Sequence, residues 1–255
     1  MEMTNNILSN KLTSPEEAVR LVRDHDRVFL GIVASVTPAL SEALWQHRHE
    51  LKDITLISGL LLDPTHLYTE PEDSSPFHML SFFLGPFERK AMQIGRPSSF
   101  TSLHLSQLDD WFHQIGHVSV AFLSASMPDS EGNVSFGPSG GSVNRFVLDT
   151  ADRVILELNP NIPYVTGQDT LFNINDADAI VLSEAPVPEM ADQQPDAVTE
   201  QISDHIMPLV PDGATIQLGI GGLSSAIGNK LMTKNDLGIF STEFDRHVGL
   251  RREIL

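Results

Sequence analysis

Five short apolar runs, each about the length of a buried strand, recur along the first part of the chain with helical segments between them. Strands that alternate with helices in this way favour a parallel sheet covered by helices on both faces, which is an α/β fold. The runs occupy residues 27–33, 54–57, 118–123, 153–158 and 179–182.

Capping signals mark the starts of the helices. Ser14 is followed by a proline and then by Glu17, a combination typical of an N-cap and a first helical turn. Pro38 marks the start of a second helix. Residues 63–76, rich in proline, serine and acidic side chains, predict a loop. Residues 77–96 give no clear assignment.

A polar, proline-containing segment at about 184–196 separates two stretches with the same strand–helix order. Beyond it the pattern predicts helices over 197–209 and 224–232 and strands over 215–218 and 238–240. We therefore predict two similar parallel-sheet α/β domains, the first at 12–184 and the second at 185–255. A second domain of about 70 residues is small for a parallel α/β layer, so we expect it to be incomplete.

Charge and cysteine content exclude several classes of function. The chain has 16 basic and 34 acidic residues and a formal net charge of −18, which argues against a nucleic-acid partner. It has no cysteine, hence no disulfide, thiolate metal site or cysteine nucleophile. Neither a signal peptide nor a membrane span is recognisable, so we expect a soluble, cytoplasmic protein with no membrane partner.

A glycine-rich turn is the most informative binding motif. Gly219, Gly221 and Gly222 lie between a predicted strand and a predicted helix, where backbone N–H groups can face an anion. The dinucleotide fingerprint requires a third glycine where the chain has Ser224. A tight turn without any ligand has the same pattern.

Glu243 lies just past the apolar run 237–240. Ligands of open α/β sheets bind beyond the carboxyl ends of the strands, and a carboxylate there can act as a covalent nucleophile. A solvated loop acid fits the same position.

The order of these segments resembles the acetyl-CoA hydrolase/4-hydroxybutyrate CoA-transferase family. The likeness covers about residues 12–243 and is most specific at 212–222 and 236–239, with looser matches at 12–30, 85–96 and 118–137. It implies two α/β domains of the CoA-transferase type, and acyl-CoA and short carboxylic acids as substrates. It implies no metal and no separate cofactor, because coenzyme A itself is the substrate.

The resemblance also assigns Glu243 as the nucleophile. A glutamate of the family attacks the thioester and then carries CoA as a glutamyl thioester, which a carboxylate or water resolves. The family places this glutamate four residues after a glycine, and counted from Gly238 that position is Thr242. Either the loop accommodates a one-residue shift, or the chain is a non-catalytic CoA-binding remnant or subunit.

The family continues beyond the point at which this sequence stops, and residues 246–252 fit it poorly. A fragment, a shifted reading frame and a natural short form all match this pattern. Strands and helices missing from the second domain would leave exposed edges. We therefore expect the chain either to self-associate, as a homo-oligomer, or to be poorly ordered after about residue 190, and in both cases to show little turnover.

Residues 137–141 match the nucleophile elbow of serine hydrolases, with Ser139 as the nucleophile. A strand is predicted before this motif and a helix after it, and Asp196 and His205 follow in a workable order. A plain glycine–proline–serine loop fits the same residues.

The histidines predict no metal site. His47 and His49 are two residues apart and point to different faces of a helix. His113 and His117 have helical spacing, but Gly116 interrupts them. Structural polar roles are therefore expected for all four.

Overall fold

The apolar runs of the first part of the chain become the strands of one sheet. The computed structural model describes residues 8, 10–62, 65–70, 76–114, 118–167, 169–188, 195–219 and 221–239, with the backbone alone at 139–142. The chain divides into two compact units, Met1–Glu189 and Met190–Leu255. The strands of the first unit are β1 (Arg27–Val33), β2 (Ile54–Leu61), β3 (Phe77–Ser81), β4 (Ser98–Phe100), β5 (Val120–Ala125), β6 (Asn133–Ser135), β7 (Arg153–Leu158), β8 (Leu171–Asn173) and β9 (Ala179–Leu182).

Within the described residues, seven of these strands form a sheet in the order β4-β3-β2-β1-β5-β7-β9. Every neighbouring pair is parallel. The predicted α/β fold with a parallel sheet is confirmed, and each of the five predicted runs contributes a strand. The stretch without a clear assignment forms β3 and a helix. The two remaining strands, β6 and β8, form a separate antiparallel pair.

Both faces of the sheet are buried because neighbouring side chains point to opposite sides of each strand. Val28 and Phe122 belong to one core cluster, whereas Phe29 and Ala121 belong to the other. All six residues of β5 are buried. An uninterrupted apolar run is therefore what a central strand of this sheet requires.

The helices of the first unit are α1 (Pro15–Ala18), α2 (Pro38–His47), α3 (His66–Thr69), α4 (Pro86–Gln93), α5 (Leu108–Gln114) and α6 (Gly137–Leu148). Ser14 caps α1 as predicted, since its hydroxyl accepts a hydrogen bond from the backbone N–H of Glu17 at 3.2 Å. The predicted loop at 63–76 is wrong at α3, where Leu67 and Tyr68 are buried and stabilise one helical turn. No helix in the described ranges is long and apolar enough to cross a membrane.

A segment before α1 covers the outer edge of β9. Leu12 forms a parallel bridge with Ile180, and the N–H of Thr13 donates to the carbonyl of Ile180 at 2.9 Å. The Lys11 ammonium donates to the carbonyl of Ala177 at 2.6 Å. This edge strap, residues 11–13, pairs groups that would otherwise face water.

The second unit contains α7 (Ala197–Ile206), β10 (Thr215–Ile216), α8 (Gly222–Leu231) and β11 (Gly238–Ile239). In the described part of this unit, β10 and β11 pair in parallel in a sheet of their own. The predicted order of helix, strand, helix and strand is present. However, the strand predicted at 215–218 is only two residues long.

Gly31 lies at an irregularity of β1, where the register of its pairing with β2 shifts between Phe29 and Ile32. Its φ is +87°, and a Cβ at this position would lie 1.8 Å from the carbonyl oxygen of Ser35. The neighbouring N–H of Ser35 donates to the carbonyl of Ile32 at 2.7 Å. Only a residue without a side chain fits where the loop after β1 folds over its own strand.

Glu157 ties β7 to the start of α2. Its side chain is 1% exposed and accepts hydrogen bonds from the backbone N–H groups of Leu40 at 3.0 Å and Ala39 at 3.3 Å. Burial raises the pKa of the Glu157 carboxyl, and these N–H donors oppose that shift. The carboxylate also complements the positive end of the helix dipole.

We predict that Gly31→Ala destabilises the first unit much more than Gly95→Ala. Both glycines have positive φ, at +87° and +82°, but a Cβ on Gly95 meets no described atom within 4 Å. The control, Gly95→Ala, should lower the free energy of unfolding by about 1 kcal/mol because of the left-handed backbone alone. Gly31→Ala should lower it by at least about 3 kcal/mol. Urea unfolding followed by the fluorescence of Trp45 and Trp111, both in this unit, measures the difference. Equal losses would show that the loop moves aside freely.

We also predict that the stability advantage of the wild type over Glu157→Gln shrinks as the pH rises above about 4.5. The folded-state pKa is raised, so the protonated carboxyl favours folding. That contribution is present below the unfolded-state pKa and is lost as the pH rises through the folded-state value. Urea midpoints of both proteins at several pH values between 4 and 8 test this. If the difference in stability between the wild type and Glu157→Gln grows with pH instead, the hydrogen bonds to the Glu157 carboxylate affect its pKa more than burial does.

Candidate active site

The carboxyl edge of the seven-stranded sheet provides the first candidate surface. Strands β1 and β5 lie side by side, yet the chain proceeds from β1 toward β4 on one side and from β5 toward β9 on the other. A crevice beyond the strand ends at such a switch point is the usual ligand site of open α/β sheets. The hydroxyl groups of Ser35 and Ser124 lie 3.3 Å apart at the ends of these two strands.

The N-terminus of α2 opens toward the same crevice but is already filled. Glu157 accepts its first N–H groups, so an external anion would have to displace a buried carboxylate. Thr37 precedes the helix, is fully buried, and has a hydroxyl without a hydrogen-bond partner among the described residues. Sequence reasoning missed Glu157, although a single acid inside the apolar run 153–158 was a signal for it.

The predicted glycine-rich turn lies at the start of α8 in the second unit. Gly221 is the residue before this ten-residue helix and has φ +126°, a value that side chains disfavour. No side chain within the described ranges caps the helix, and a Cβ on Gly221 would meet none of their atoms within 4 Å. Gly222 is the first helical residue, and Gly219 lies just before the turn.

The bare start of α8 differs from the starts of α1, α2 and α7. Ser14 caps α1, Glu157 fills α2, and Asp196 caps α7 by accepting from the N–H of Thr199 at 2.7 Å. The Lys230 ammonium on α8 forms ion pairs with Asp204 at 2.6 Å and with Glu200 at 2.8 Å. These contacts raise the pKa of Lys230. Backbone N–H groups and the helix dipole supply positive potential at the turn without this ammonium group.

The two candidates for the nucleophile position, Glu243 and Thr242, lie outside the described residues, so Glu243 stays a prediction.

The serine-hydrolase reading receives no support from the backbone around Ser139. The predicted strand and helix are present as β6 and α6. Within the described residues, however, β6 pairs only with β8, in an antiparallel sheet, whereas a nucleophile elbow follows a strand of the parallel sheet. Asp196, the expected acid of the triad, caps α7 instead.

Two of the four histidines considered for a metal site pair with carboxylates one helical turn away. His47 pairs with Glu50 at 3.5 Å and His113 with Asp109 at 3.3 Å. The hydrogen bond from the His113 ring to the backbone carbonyl of Asp109 raises the pKa of His113. His117 lies outside the described residues. In the part of the chain that the structure describes, no three histidine, aspartate or glutamate side chains are grouped closely enough for a metal ion.

Comparison with known proteins gives relatives for most of the chain. Butyryl-CoA:acetate CoA-transferase of Anaerostipes caccae is 31% identical over 90% of this chain and 52% of its own length. The 4-hydroxybutyrate coenzyme A transferase of Clostridium kluyveri is 29% identical over 92% of this chain and 54% of its own. The chain thus spans about half the length of these relatives.

A solved structure, RipA from Yersinia pestis, superposes with a TM-score of 0.89 at 26% identity, covering 96% of this chain and 59% of its own. The family model for the acetyl-CoA hydrolase/transferase N-terminal domain matches residues 4–190, which include every strand of the seven-stranded sheet. The chain therefore belongs to the acetyl-CoA hydrolase/transferase family.

Proposed function

We propose that this protein transfers coenzyme A between short carboxylic acids, as an acyl-CoA:carboxylate CoA-transferase. The match of residues 4–190 to the family model carries this proposal, and the names of the relatives, all CoA-transferases, support transfer over hydrolysis. Coenzyme A is substrate rather than cofactor in this reaction, and we propose no metal.

The proposed reaction proceeds through covalent intermediates on Glu243. Its carboxylate attacks the thioester carbonyl, the carbon–sulfur bond breaks, and the CoA thiolate leaves behind a mixed anhydride. The thiolate then attacks the glutamyl carbonyl and releases the first acid as a carboxylate. The resulting glutamyl-CoA thioester passes CoA to a second carboxylate by the same steps in reverse. If water attacks instead, the outcome is hydrolysis.

Each attack creates an oxyanion, and coenzyme A itself carries phosphates. We assign the N–H groups at the start of α8 to binding negative charge of the substrate. The bare helix start and the open space at Gly221 support this assignment. Because the chain has a net charge of −18, an anionic substrate needs such a local site to bind at all.

A second candidate function is CoA binding without turnover. It is favoured by one observation, the threonine at position 242 where the family pattern places its glutamate. The two candidates differ in whether a covalent adduct forms.

We predict that borohydride, added after an acyl-CoA, traps a glutamyl thioester at Glu243. Reduction of the thioester converts that glutamate to an alcohol, which peptide mass spectrometry locates. Glu243→Ala should abolish the modification and lower CoA transfer by at least about 10³-fold, since the nucleophile itself is removed.

The neighbouring variant Thr242→Ala is the matched control and should still be modified at Glu243. CoA binding without modification at any carboxylate would favour the non-catalytic function. Modification of a different glutamate would identify that residue as the nucleophile, and the proposed transferase activity would stand.

We further predict that Gly221→Ala weakens binding of free coenzyme A by at least about tenfold, because a side chain at φ +126° forces the first N–H groups of α8 to rotate. Gly213→Ala is the control, since Gly213 also has positive φ, at +75°, and an open Cβ position, but lies in the turn before β10. Calorimetric titration should show nearly unchanged affinity for that variant. Equal weakening by both would indicate general strain in the unit.

A further inference from the structure

The two outer strands of the seven-stranded sheet differ at their free edges. At β9 the edge strap pairs with the strand, since Leu12 forms a bridge with Ile180. At β4, no segment among the described residues pairs with the side that faces away from β3. An unpaired strand edge presents backbone groups to which another strand can add. In the part of the chain that the structure describes, β4 is therefore the open edge of this sheet.

The hydrogen bonds between β3 and β4 identify the backbone groups that face outward. A backbone N–H of β3 donates to the carbonyl of Pro97 at 2.8 Å, and the N–H of Thr101 donates to a carbonyl of β3 at 3.0 Å. Pro97 and Thr101 thus face β3. Because the backbone groups of successive strand residues alternate in direction, the N–H and carbonyl groups of Ser98 and Phe100 face away from it.

Apart from its short length, β4 has none of the features that usually prevent edges from pairing. Its three residues include no charged side chain and no proline, and its register with β3 shows no bulge. Phe100 is 45% exposed. Met92 and Ile94, at the end of the helix that precedes β4, are 44% and 36% exposed. Exposed apolar side chains thus accompany the free backbone groups.

The charge around β4 differs from that of the whole chain, which has a net charge of −18. Residues 77–108, from β3 through β4 to the start of α5, contain one acid, Glu88, and Glu88 is fully buried. The same segment contains the exposed cations Arg89 and Lys90. Two copies of a strongly acidic chain repel each other wherever their carboxylates meet. This segment is therefore a place where a second copy meets little repulsion.

We propose that β4 pairs with β4 of a second copy of this chain, in antiparallel orientation about a two-fold axis at Ser99. In this arrangement Ser98 of each copy lies opposite Phe100 of the other, so the outward N–H and carbonyl groups form the hydrogen bonds of an antiparallel pair. The two sheets join into one. The dimer is closed, because each open edge is used once. This inference is independent of the proposed CoA-transferase function.

The test is sedimentation velocity of the 255-residue chain from micromolar to submillimolar concentration. We expect a weak equilibrium between monomer and dimer, because a three-residue strand forms a small interface. Hydrogen exchange of the Ser98 and Phe100 N–H groups should slow as the dimer forms, since both are bonded in it. A chain that stays monomeric throughout would overturn the proposal.

Phe100→Lys should raise the dissociation constant of the dimer at least about tenfold, because each copy loses an apolar contact and gains a charge at the edge. Leu182→Lys is the matched control, since Leu182 is 49% exposed at the end of β9, the opposite outer strand. It should change the dissociation constant by less than about twofold.

Ser98→Pro tests the strand pairing separately from the side chains. It removes an outward N–H, leaves the hydrogen bonds to β3 in place and keeps Phe100, Met92 and Ile94. The dissociation constant should again rise, while the circular dichroism spectrum stays that of the wild type.

The alternative outcomes are distinguishable. If Phe100→Lys and Leu182→Lys dimerise as the wild type does, the copies meet through another surface and the proposal is wrong. If only Ser98→Pro dimerises as the wild type does, the contact is made by side chains and the strand pairing is wrong. Hydrogen exchange requires no variant to fold, so unchanged exchange at Ser98 and Phe100 in a wild-type dimer would also refute the pairing. The proposed CoA transfer stands in each of these cases.

Discussion

Burial of the parallel sheet on both faces is the constraint on which the rest of the first unit depends. A central strand such as β5 meets helices on either side, so every one of its residues must be accommodated in a core. Helices must then cross over both faces, and each connection leaves a strand at its carboxyl end and enters the next at its amino end. Loops therefore lie at both edges of the sheet. The strand interiors are used for packing, and the carboxyl edge is where ligands of open α/β sheets usually bind.

The acidic side chains likewise differ between the protein surface and the buried positions near the carboxyl edge of the sheet. The chain has a large excess of acidic residues, and most of that charge costs little because it is solvated. The buried acids Glu88 and Glu157 are different, since Glu88 accepts a hydrogen bond from the N–H of Leu61 at the end of β2 and Glu157 accepts two from the first turn of α2. These two carboxyl groups hold the backbone in place at the carboxyl edge through hydrogen bonds. The start of α8 differs, because no described side chain accepts a hydrogen bond from its first N–H groups.

Sequence patterns predicted the elements whose causes are local. The run 153–158 matches β7, and the cap at Ser14 is present, because strand burial and capping depend on neighbouring residues. The turn of helix at 66–69 was missed because buried contacts of Leu67 and Tyr68 outweigh the loop-like composition. Val33 and Leu60 each have φ +50°, which could not have been predicted because valine and leucine rarely adopt the left-handed region. The glycine turn was found because its residues are unusual locally, whereas Glu243 stays a prediction.

The edge strap has a consequence for how the chain reaches its fold during synthesis. Lys11 contacts Ala177 across 166 residues, and Leu12 bridges to Ile180. Residues 11–13 therefore leave the ribosome long before their partners do, and β1 likewise waits for β5. Folding of the first unit is dominated by such distant pairings, which makes it intrinsically slow. Until β9 emerges, the nascent sheet has an unpaired border that a chaperone or a second nascent chain can occupy.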